Sequence, residues 1–167
     1  MTRVVLALGS NLGDRLANLQ AAVDALCGPG GLGFVAVSPV YETAPVGGPS
    51  QPDYLNAVLL ASTTLPPGAV LDRAHAAEAA RHRVREVACG PRTLDVDIIS
   101  YDDVVSEDPG LTLPHPRAHQ RAFVLVPWHD VEPAARLAGH GPVAGLAAAA
   151  SAAAPPRRVP ELLRPPR

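Results

Sequence analysis

The 167-residue chain contains no lysine, so all fourteen of its basic residues are arginine. That absence excludes a Schiff-base lysine and a Walker A phosphate loop, because both depend on the lysine ammonium group. The two cysteines form no Cys-x-x-Cys motif, which favours a reduced, cytoplasmic protein over a disulfide scaffold. Aromatic residues make up only 4% of the chain and the formal net charge is −2, so we expect no nucleic-acid partner.

Long apolar runs are also scarce. Residues 4–8 form an apolar run that is too short for the core of a signal peptide. Residues 137–156 contain no Asp, Glu, Lys or Arg, yet the glycines and prolines among them argue against a membrane span. We therefore expect no membrane partner.

Domain organisation follows from length and composition. With 47% hydrophobic residues the chain is long enough to bury a sizeable core, and we expect residues 1–154 to form a single domain. Residues 155–167 hold five prolines, four arginines and one glutamate. That composition predicts a disordered tail rich in arginine and proline.

The hydrophobic pattern predicts strands at residues 3–8, 34–41 and 54–63 and around the aspartates at 95 and 97, with the second strand interrupted near Pro39. One helix is expected at 16–26 with Asp14 as its N-cap, and another from Pro67 through Glu78. The order βαββαβ is typical of an α+β ferredoxin-like core, an antiparallel sheet with helices packed on one face. Residues 118–126 and 143–154 predict two further helices, which form a C-terminal helical extension.

Two carboxylates stand two positions apart in the apolar strand that follows Gly90-Pro91-Arg92. Because strand side chains alternate, Asp95 and Asp97 share one face about 7 Å apart, while the residues beside them point into the core. Oxygen ligands suit Mg²⁺, which takes one or two carboxylates together with substrate phosphates. The pair therefore predicts a metal and phosphate site. The alternative is a solvated strand face on which an arginine pairs with one aspartate.

Basic residues surround this strand along the chain. Arg83, Arg85 and Arg92 lie within ten residues before it, and His115 and Arg121 follow it. Guanidinium groups stay charged and grip phosphate with two hydrogen bonds, which suits a polyphosphate ligand. Arginines at a solvated helix end are the alternative explanation.

A third candidate is the start of the strand at 54–63. Tyr54 and Asn56 share one face, which offers a stacking surface beside an amide that can donate and accept hydrogen bonds. This pair suits a planar heterocycle, although such residues are also common in ordinary sheets. By contrast, Gly28, Gly30 and Gly33 match Gly-x-Gly-x-x-Gly but follow a helix and precede a strand, the reverse of a dinucleotide site.

Together these residues resemble the 6-hydroxymethyl-7,8-dihydropterin pyrophosphokinase family over roughly residues 2–135. The resemblance depends on several short motifs in one order, which is more specific than any one of them. They are Gly9-Ser10-Asn11-Leu12-Gly13, Tyr41 with Thr43 and Pro45, Gln51-Pro52-Asp53-Tyr54-Leu55-Asn56-Ala57, Arg83-Val84-Arg85, Gly90-Pro91-Arg92-Thr93-Leu94-Asp95-Val96-Asp97-Ile98, and Leu113-Pro114-His115-Pro116 with Arg121-Ala122-Phe123.

The resemblance implies transfer of pyrophosphate from ATP, the co-substrate, to the hydroxymethyl group of the pterin, which gives the pterin diphosphate and AMP in folate biosynthesis. It implies a monomer with small-molecule substrates and two Mg²⁺ ions held by Asp95 and Asp97. The residues implied around the nucleotide are Glu78, Arg83, Arg85, Arg92, Ile98, His115 and Arg121. The implied pterin pocket consists of Thr43, Val46, Tyr54, Asn56 and Phe123, with the two aromatic rings on either side of the substrate. The implied catalytic residues are Arg83, Arg92, Asp95 and Asp97.

The chain departs from the family pattern at three positions. Cys89 stands where the family usually has Trp, which removes a large ring from a closing loop, and Ala44 and Pro116 replace a usual proline and an aromatic. Two rival hypotheses remain. An RNA-recognition motif shares the βαββαβ order, although it would present aromatics on its first and third strands. The other rival is a family member that binds nucleotide or pterin but has lost catalysis, and Cys89 is the only residue that suggests it.

Overall fold

The computed structural model describes residues 1–45, 47–81 and 93–167. From the first strand to the fifth, its elements follow the order that the sequence predicts, with two short strands in place of one interrupted strand. The strands are β1 (Thr2–Ser10), β2 (Gly33–Val37), β3 (Tyr41–Thr43), β4 (Tyr54–Thr63), β5 (Asp95–Tyr101), β6 (Arg136–Leu137), β7 (Gly141–Pro142) and β8 (Arg157–Arg158). The helices are α1 (Arg15–Leu26), α2 (Pro67–Ala80), α3 (Ala122–Val131) and α4 (Val143–Ser151), with a 3₁₀ turn at Ala118–Gln120.

The main sheet is antiparallel and has the strand order β5-β1-β4-β3-β8, with β2 also paired to β4. β1 is a central strand, and its residues from Val4 to Ser10 are all buried. A strand covered on both faces needs apolar residues at successive positions, which explains the unbroken apolar run at residues 4–8 of β1. β6 and β7 form a separate two-stranded hairpin.

Helices cover both faces of the sheet. α1 and α2 pack on one face, where Leu19, Val23 and Val70 are fully buried against the sheet. Asp14 caps α1 as predicted, because its side chain accepts a hydrogen bond from the Ala17 amide at 3.1 Å. The C-terminal extension, α3 and α4, covers the opposite face and buries Trp128 there. The α+β ferredoxin-like core predicted from the sequence is confirmed.

A β-bulge changes the facing of β5 beyond its aspartates. Val5 pairs with Ser100 and Leu6 with Ile98, so Ile99 is the extra residue. Ile98 consequently packs in the α1/α2 core and Ile99 in the α3/α4 core. The extra residue also returns Tyr101 to the α1/α2 core, which strict alternation from Ile98 would not do.

The interruption predicted near Pro39 is present and divides the strand expected at 34–41 into two, because the chain leaves β2 at Ser38-Pro39 before it pairs again as β3. The Ser38 hydroxyl accepts a hydrogen bond from the Val58 amide at 2.8 Å, which holds β4 against the break. The helix expected at 118–126 is a 3₁₀ turn followed by α3, which continues to Val131.

The structure contradicts the disorder expected for residues 155–167. β8 pairs with β3, and Val159 and Leu163 are buried in the α1/α2 core. The Gln20 side chain accepts from the Arg164 amide at 2.8 Å and donates to the Arg164 carbonyl at 3.1 Å. Composition alone predicts disorder here because it does not show that β3 offers an open edge for pairing or that Val159 and Leu163, four positions apart, can both be buried.

Within the described residues, none of the helices combines the length and the apolar character that crossing a bilayer would demand.

Candidate active site

A row of residues runs across the sheet at one end of its central strands. Asp95 on β5 lies opposite Gly9 on β1, Gly9 lies opposite Asn56 on β4, and Asn56 lies opposite Tyr41 on β3. Opposed residues in an antiparallel pair point to the same face. Register therefore brings residues that are more than eighty positions apart in sequence onto a single surface.

Asp95 and Asp97 project on the face that α3 and α4 cover further along the sheet. Ala7, which pairs with Asp97, and Val58, which pairs with Ala7, both belong to the α3/α4 core. Both aspartates are half-buried, and the Oδ1 atom of Asp95 is buried. The shared face predicted from the two-residue spacing agrees with this register.

Gly9 leaves space at the centre of this surface because it has no side chain. A Cβ at Gly9 would lie 3.2 Å from Asn56 Oδ1 and 3.5 Å from Tyr54 Cδ1. The first distance is tighter than an ordinary van der Waals contact, so a side chain here would displace Asn56. The missing side chain lets the tyrosine ring and the asparagine amide lie over the central strand.

Tyr54, Asn56 and Thr43 form the other half of the surface. Thr43 pairs with Tyr54 in the β3–β4 ladder, and Asn56 Nδ2 donates a hydrogen bond of 2.7 Å to Thr43 Oγ1. Asn56 is 5% exposed, so this bond fixes its amide orientation and directs Oδ1 toward Gly9. The pair can recognise the polar edge of a flat ring.

The start of α3 supplies a cation and a second aromatic ring. Arg121 is the N-cap of α3, and its guanidinium carbon lies 5.4 Å from the centre of the Phe123 ring, within cation–π distance. Phe123 also packs against the α3/α4 core. The Tyr41 hydroxyl donates to Asp130 near the other end of α3, which ties this helix to β3.

His115 stands beside the acidic strand as a neutral side chain. Its backbone amide donates to the Ile99 carbonyl at 2.9 Å, and its Nδ1 accepts from the Arg117 amide at 3.2 Å. Burial, then the charges of Arg121 and Arg117, lower the pKa of His115 to about 4, against an opposing effect of Asp95. At neutral pH His115 can donate a hydrogen bond from Nε2 but adds no positive charge.

Two of the predicted nucleotide-binding residues lie away from this face. The Glu78 carboxylate is buried and accepts from the Val96 amide at 3.1 Å, at the outer edge of β5. The Ile98 side chain is buried in the α1/α2 core. Glu78 supports β5, and Ile98 could meet a ligand only through its backbone.

Four predicted site residues lie outside the described part of the chain. They are Val46, Arg83, Arg85 and Arg92, and Cys89 lies in the same segment as the arginines.

The donor set at Asp95 and Asp97 fits Mg²⁺. It consists of two carboxylates, and the described residues contain no group of three or more His, Cys, Asp or Glu side chains placed to hold a metal. Mg²⁺ is commonly held by one or two carboxylates while water and substrate phosphates supply its other ligands. A softer metal would require imidazole or thiolate ligands beside the pair.

Sequence reasoning missed a buried polar cluster behind the surface. Asn11 is 1% exposed, and its amide donates to Gln51 Oε1 at 2.8 Å and to the Pro52 carbonyl at 3.0 Å. Asn11 and Gln51 both belong to sequence motifs, but no pattern in the sequence predicts that their side chains meet. Arg81, which binds the same region through Asn18, belongs to no motif at all.

Comparison with known proteins agrees with this architecture. A family model described as 7,8-dihydro-6-hydroxymethylpterin-pyrophosphokinase matches residues 5–133. The chain is 50% identical over 147 residues to the 2-amino-4-hydroxy-6-hydroxymethyldihydropteridine pyrophosphokinase of Mycobacterium tuberculosis, covering 82% of this chain and 76% of that protein. It is 42% identical over 135 residues to the enzyme of that name from Pseudomonas aeruginosa, covering 81% and 83%.

Solved structures show the same fold at low identity. A Plasmodium falciparum HPPK-DHPS structure with STZ-DHP matches 99% of this chain with a TM-score of 0.73 at 14% identity. The chain spans 48% of the length of that protein.

The fold and these matches define an α+β pyrophosphokinase. The chain belongs to the 7,8-dihydro-6-hydroxymethylpterin-pyrophosphokinase family. Its activity is the transfer of pyrophosphate to the hydroxymethyl group of the dihydropterin in folate biosynthesis.

Proposed function

We propose that the pyrophosphate donor is ATP, that AMP is released, and that the reaction depends on Mg²⁺ held by Asp95 and Asp97. The observation that carries this proposal is the row across the sheet, which joins the acidic pair to Gly9 and Asn56 on one face. A nucleotide phosphate at the aspartates and a planar acceptor over Gly9 would then be neighbours on that surface.

The pterin end of the site is assigned to Thr43, Tyr54, Asn56 and Phe123. Asn56 Oδ1 faces Gly9 and can accept a hydrogen bond from a ring N–H, while Thr43 holds the amide in place. Tyr54 and Phe123 are half-buried aromatic rings that offer faces for stacking. Val46 remains a predicted member of this pocket and lies outside the described residues.

The phosphate end needs charge neutralisation more than covalent chemistry. Mg²⁺, two ions by the family resemblance, would neutralise phosphate oxygens when held by Asp95 and Asp97. Arg121 contributes a permanent cation at the start of α3. Arg83, Arg85 and Arg92 remain predicted phosphate ligands.

In the proposed reaction the pterin alcohol oxygen forms a bond to the β-phosphorus. The bond from that phosphorus to the bridging oxygen of the α-phosphate breaks, and AMP leaves with the bridging oxygen. The alcohol proton must be lost as the new bond forms. We assign the proton to Asp97, whose carboxylate lies on the face where the phosphates and the planar acceptor would meet.

The small-molecule substrates of the proposal are ATP and the dihydropterin. The monomeric state and the cytoplasmic setting expected from the sequence stay predictions.

The test is a product analysis. The protein is incubated with ATP, Mg²⁺ and 6-hydroxymethyl-7,8-dihydropterin, and the phosphorus species are followed by ³¹P NMR. AMP and a pterin diphosphate in equal amounts support the proposal, with 6-methyl-7,8-dihydropterin, which lacks the alcohol, as the control that yields no AMP. Formation of ADP would contradict pyrophosphate transfer from ATP. Binding of both substrates without turnover would favour a family member that has lost catalysis.

A further inference from the structure

A chain of hydrogen bonds joins the end of α2 to the turn between β1 and α1. Nε and Nη2 of Arg81 both donate to Asn18 Oδ1, at 2.9 and 2.7 Å. Asn18 Nδ2 donates in turn to Ser10 Oγ at 3.1 Å and to the Leu12 carbonyl at 2.9 Å. Arg81 therefore holds, through one amide group, the residues on either side of Asn11.

Asn11 carries the connection on to the segment that leads into β4. Its amide binds Gln51 Oε1 and the Pro52 carbonyl, and Arg15 Nη1 donates to the next carbonyl, that of Asp53, at 3.0 Å. Tyr54 follows directly as the first residue of β4. The direction of the chain into Tyr54 is thus set by contacts from the β1–α1 turn.

These polar groups are buried. Ser10 is 0% exposed, Asn11 1% and Asn18 2%. A buried amide that loses a partner keeps its desolvation cost, so such a network favours one arrangement over its alternatives. The guanidinium of Arg81 suits the role, because two of its N–H groups converge on one oxygen and its charge persists at all working pH values.

We propose that Arg81 is a positioning residue for the pterin side of the reaction, acting through Asn18 and Asn11 on the backbone at 52–53 and so on Tyr54. The inference rests on the pterin pocket proposed above. Within the described residues the side-chain hydrogen bonds of Arg81 go to Asn18, and Arg81 acts by fixing where the Tyr54 ring stands over Gly9.

The test compares steady-state constants of Arg81→Ala, Arg81→Lys and Asn18→Asp with those of the parent. Arg81→Ala removes both bonds to Asn18. Asn18→Asp keeps an acceptor for Arg81 but removes the donor to Ser10 and Leu12, which breaks the other half of the chain. We expect KM for the dihydropterin to rise about tenfold in both, as befits loss of hydrogen bonds that involve a charged group or a buried amide. Arg81→Lys keeps the charge but cannot direct two N–H groups at one oxygen, so its KM for the dihydropterin should lie between those of the parent and Arg81→Ala.

A change in KM for the dihydropterin without a change in kcat or in ATP binding would distinguish a positioning role from general destabilisation. We expect kcat at saturating substrate and the Kd of a non-reactive ATP analogue to stay within about twofold of the parent, because a merely less stable protein would lose active enzyme and not pterin affinity alone. Arg73→Ala is the matched control, since Arg73 is on the same helix and donates to the Gly30 carbonyl, away from the turn. Its KM for the pterin should not change.

Tyr54→Ala distinguishes the two levels of the proposal. If Tyr54→Ala raises KM for the pterin while Arg81→Ala and Asn18→Asp do not, the positioning role is wrong and the pocket stands. If Tyr54→Ala has no effect, the pocket assignment itself fails. Equal increases in the pterin and ATP constants in Arg81→Ala would also overturn the inference.

Discussion

At the scale of single residues, the absence of a side chain at Gly9 decides what the surface can hold. Period-two spacing was enough to predict that Asp95 and Asp97 share a face and that Tyr54 and Asn56 share one. It could not predict that both pairs share the same face, because that depends on the register of three strands, with Gly9 opposite both Asp95 and Asn56.

Gly9→Ala should therefore weaken pterin use without unfolding the protein. The added Cβ would lie 3.2 Å from Asn56 Oδ1, so the amide must move by a few tenths of an ångström, and we expect KM for the dihydropterin to rise about three- to tenfold. Gly68→Ala is the control, since a Cβ there meets nothing within 4 Å. Unchanged pterin kinetics in Gly9→Ala would show that no ligand lies against Asn56.

Cys27 should react slowly in the folded protein. Burial, followed by the charge of Asp24, raises the pKa of the Cys27 thiol from 9.0 to about 11. Two pKa steps leave about 100-fold less thiolate near pH 8, and the greater nucleophilicity of a more basic thiolate restores about tenfold. In a Cys89→Ser background, alkylation by iodoacetamide should be at least about tenfold slower folded than in denaturant. Equal rates would mean that the thiol is not shielded.

At the scale of elements, the sequence predicts helices and strands better than the places where they bend or pair. The Asp14 cap of α1, the first-turn proline of α2 and the apolar spacing of both helices are local signals, so α1 begins directly after Asp14 and α2 begins at Pro67, as expected. The bulge at Ile99 and the renewed pairing of β3 with β4 beyond the predicted break at Pro39 depend on partners in other strands. The disorder predicted for residues 155–167 was wrong for the same reason, since contacts with β3 and α1 hold this segment in an ordered conformation.

Leu163→Ala tests the docking of this C-terminal segment. Leu163 is 8% exposed in the α1/α2 core, whereas its neighbour Leu162 is 64% exposed. A buried Leu→Ala change costs about 2–5 kcal/mol in a rigid core, and here the loss is limited to the free energy that holds the segment down. We expect a lower melting temperature and faster tryptic cleavage after Arg158 in Leu163→Ala. Leu162→Ala should match the parent, and identical cleavage rates in both variants would mean that Leu163 does not anchor the segment.

At the scale of the whole molecule, two apolar cores share one sheet. The α1/α2 core and the α3/α4 core meet through β1 and β4, which contribute side chains to both. Neither core can lose its sheet face alone, so the two should melt together. Trp128, 2% exposed in the α3/α4 core, is the only tryptophan and reports on that side.

We therefore expect the fluorescence of Trp128 and the far-ultraviolet circular dichroism to follow one transition in guanidinium chloride, with coincident midpoints and slopes. The dichroism includes α1 and α2, which lie on the face away from Trp128. A fluorescence change that precedes the loss of helix signal would show that α3 and α4 detach independently.

The central claim is that the acidic pair on β5 is the catalytic centre for pyrophosphate transfer, and the rate of AMP formation by Asp97→Asn tests it most directly. Asn keeps the shape of the side chain and removes the charge that Mg²⁺ and the alcohol proton require. With folding verified by circular dichroism, and with exposed Asp103→Asn as a control that retains parental activity, the account predicts a fall of about 1000-fold or more. AMP formation by Asp97→Asn within a few-fold of the parent would contradict it.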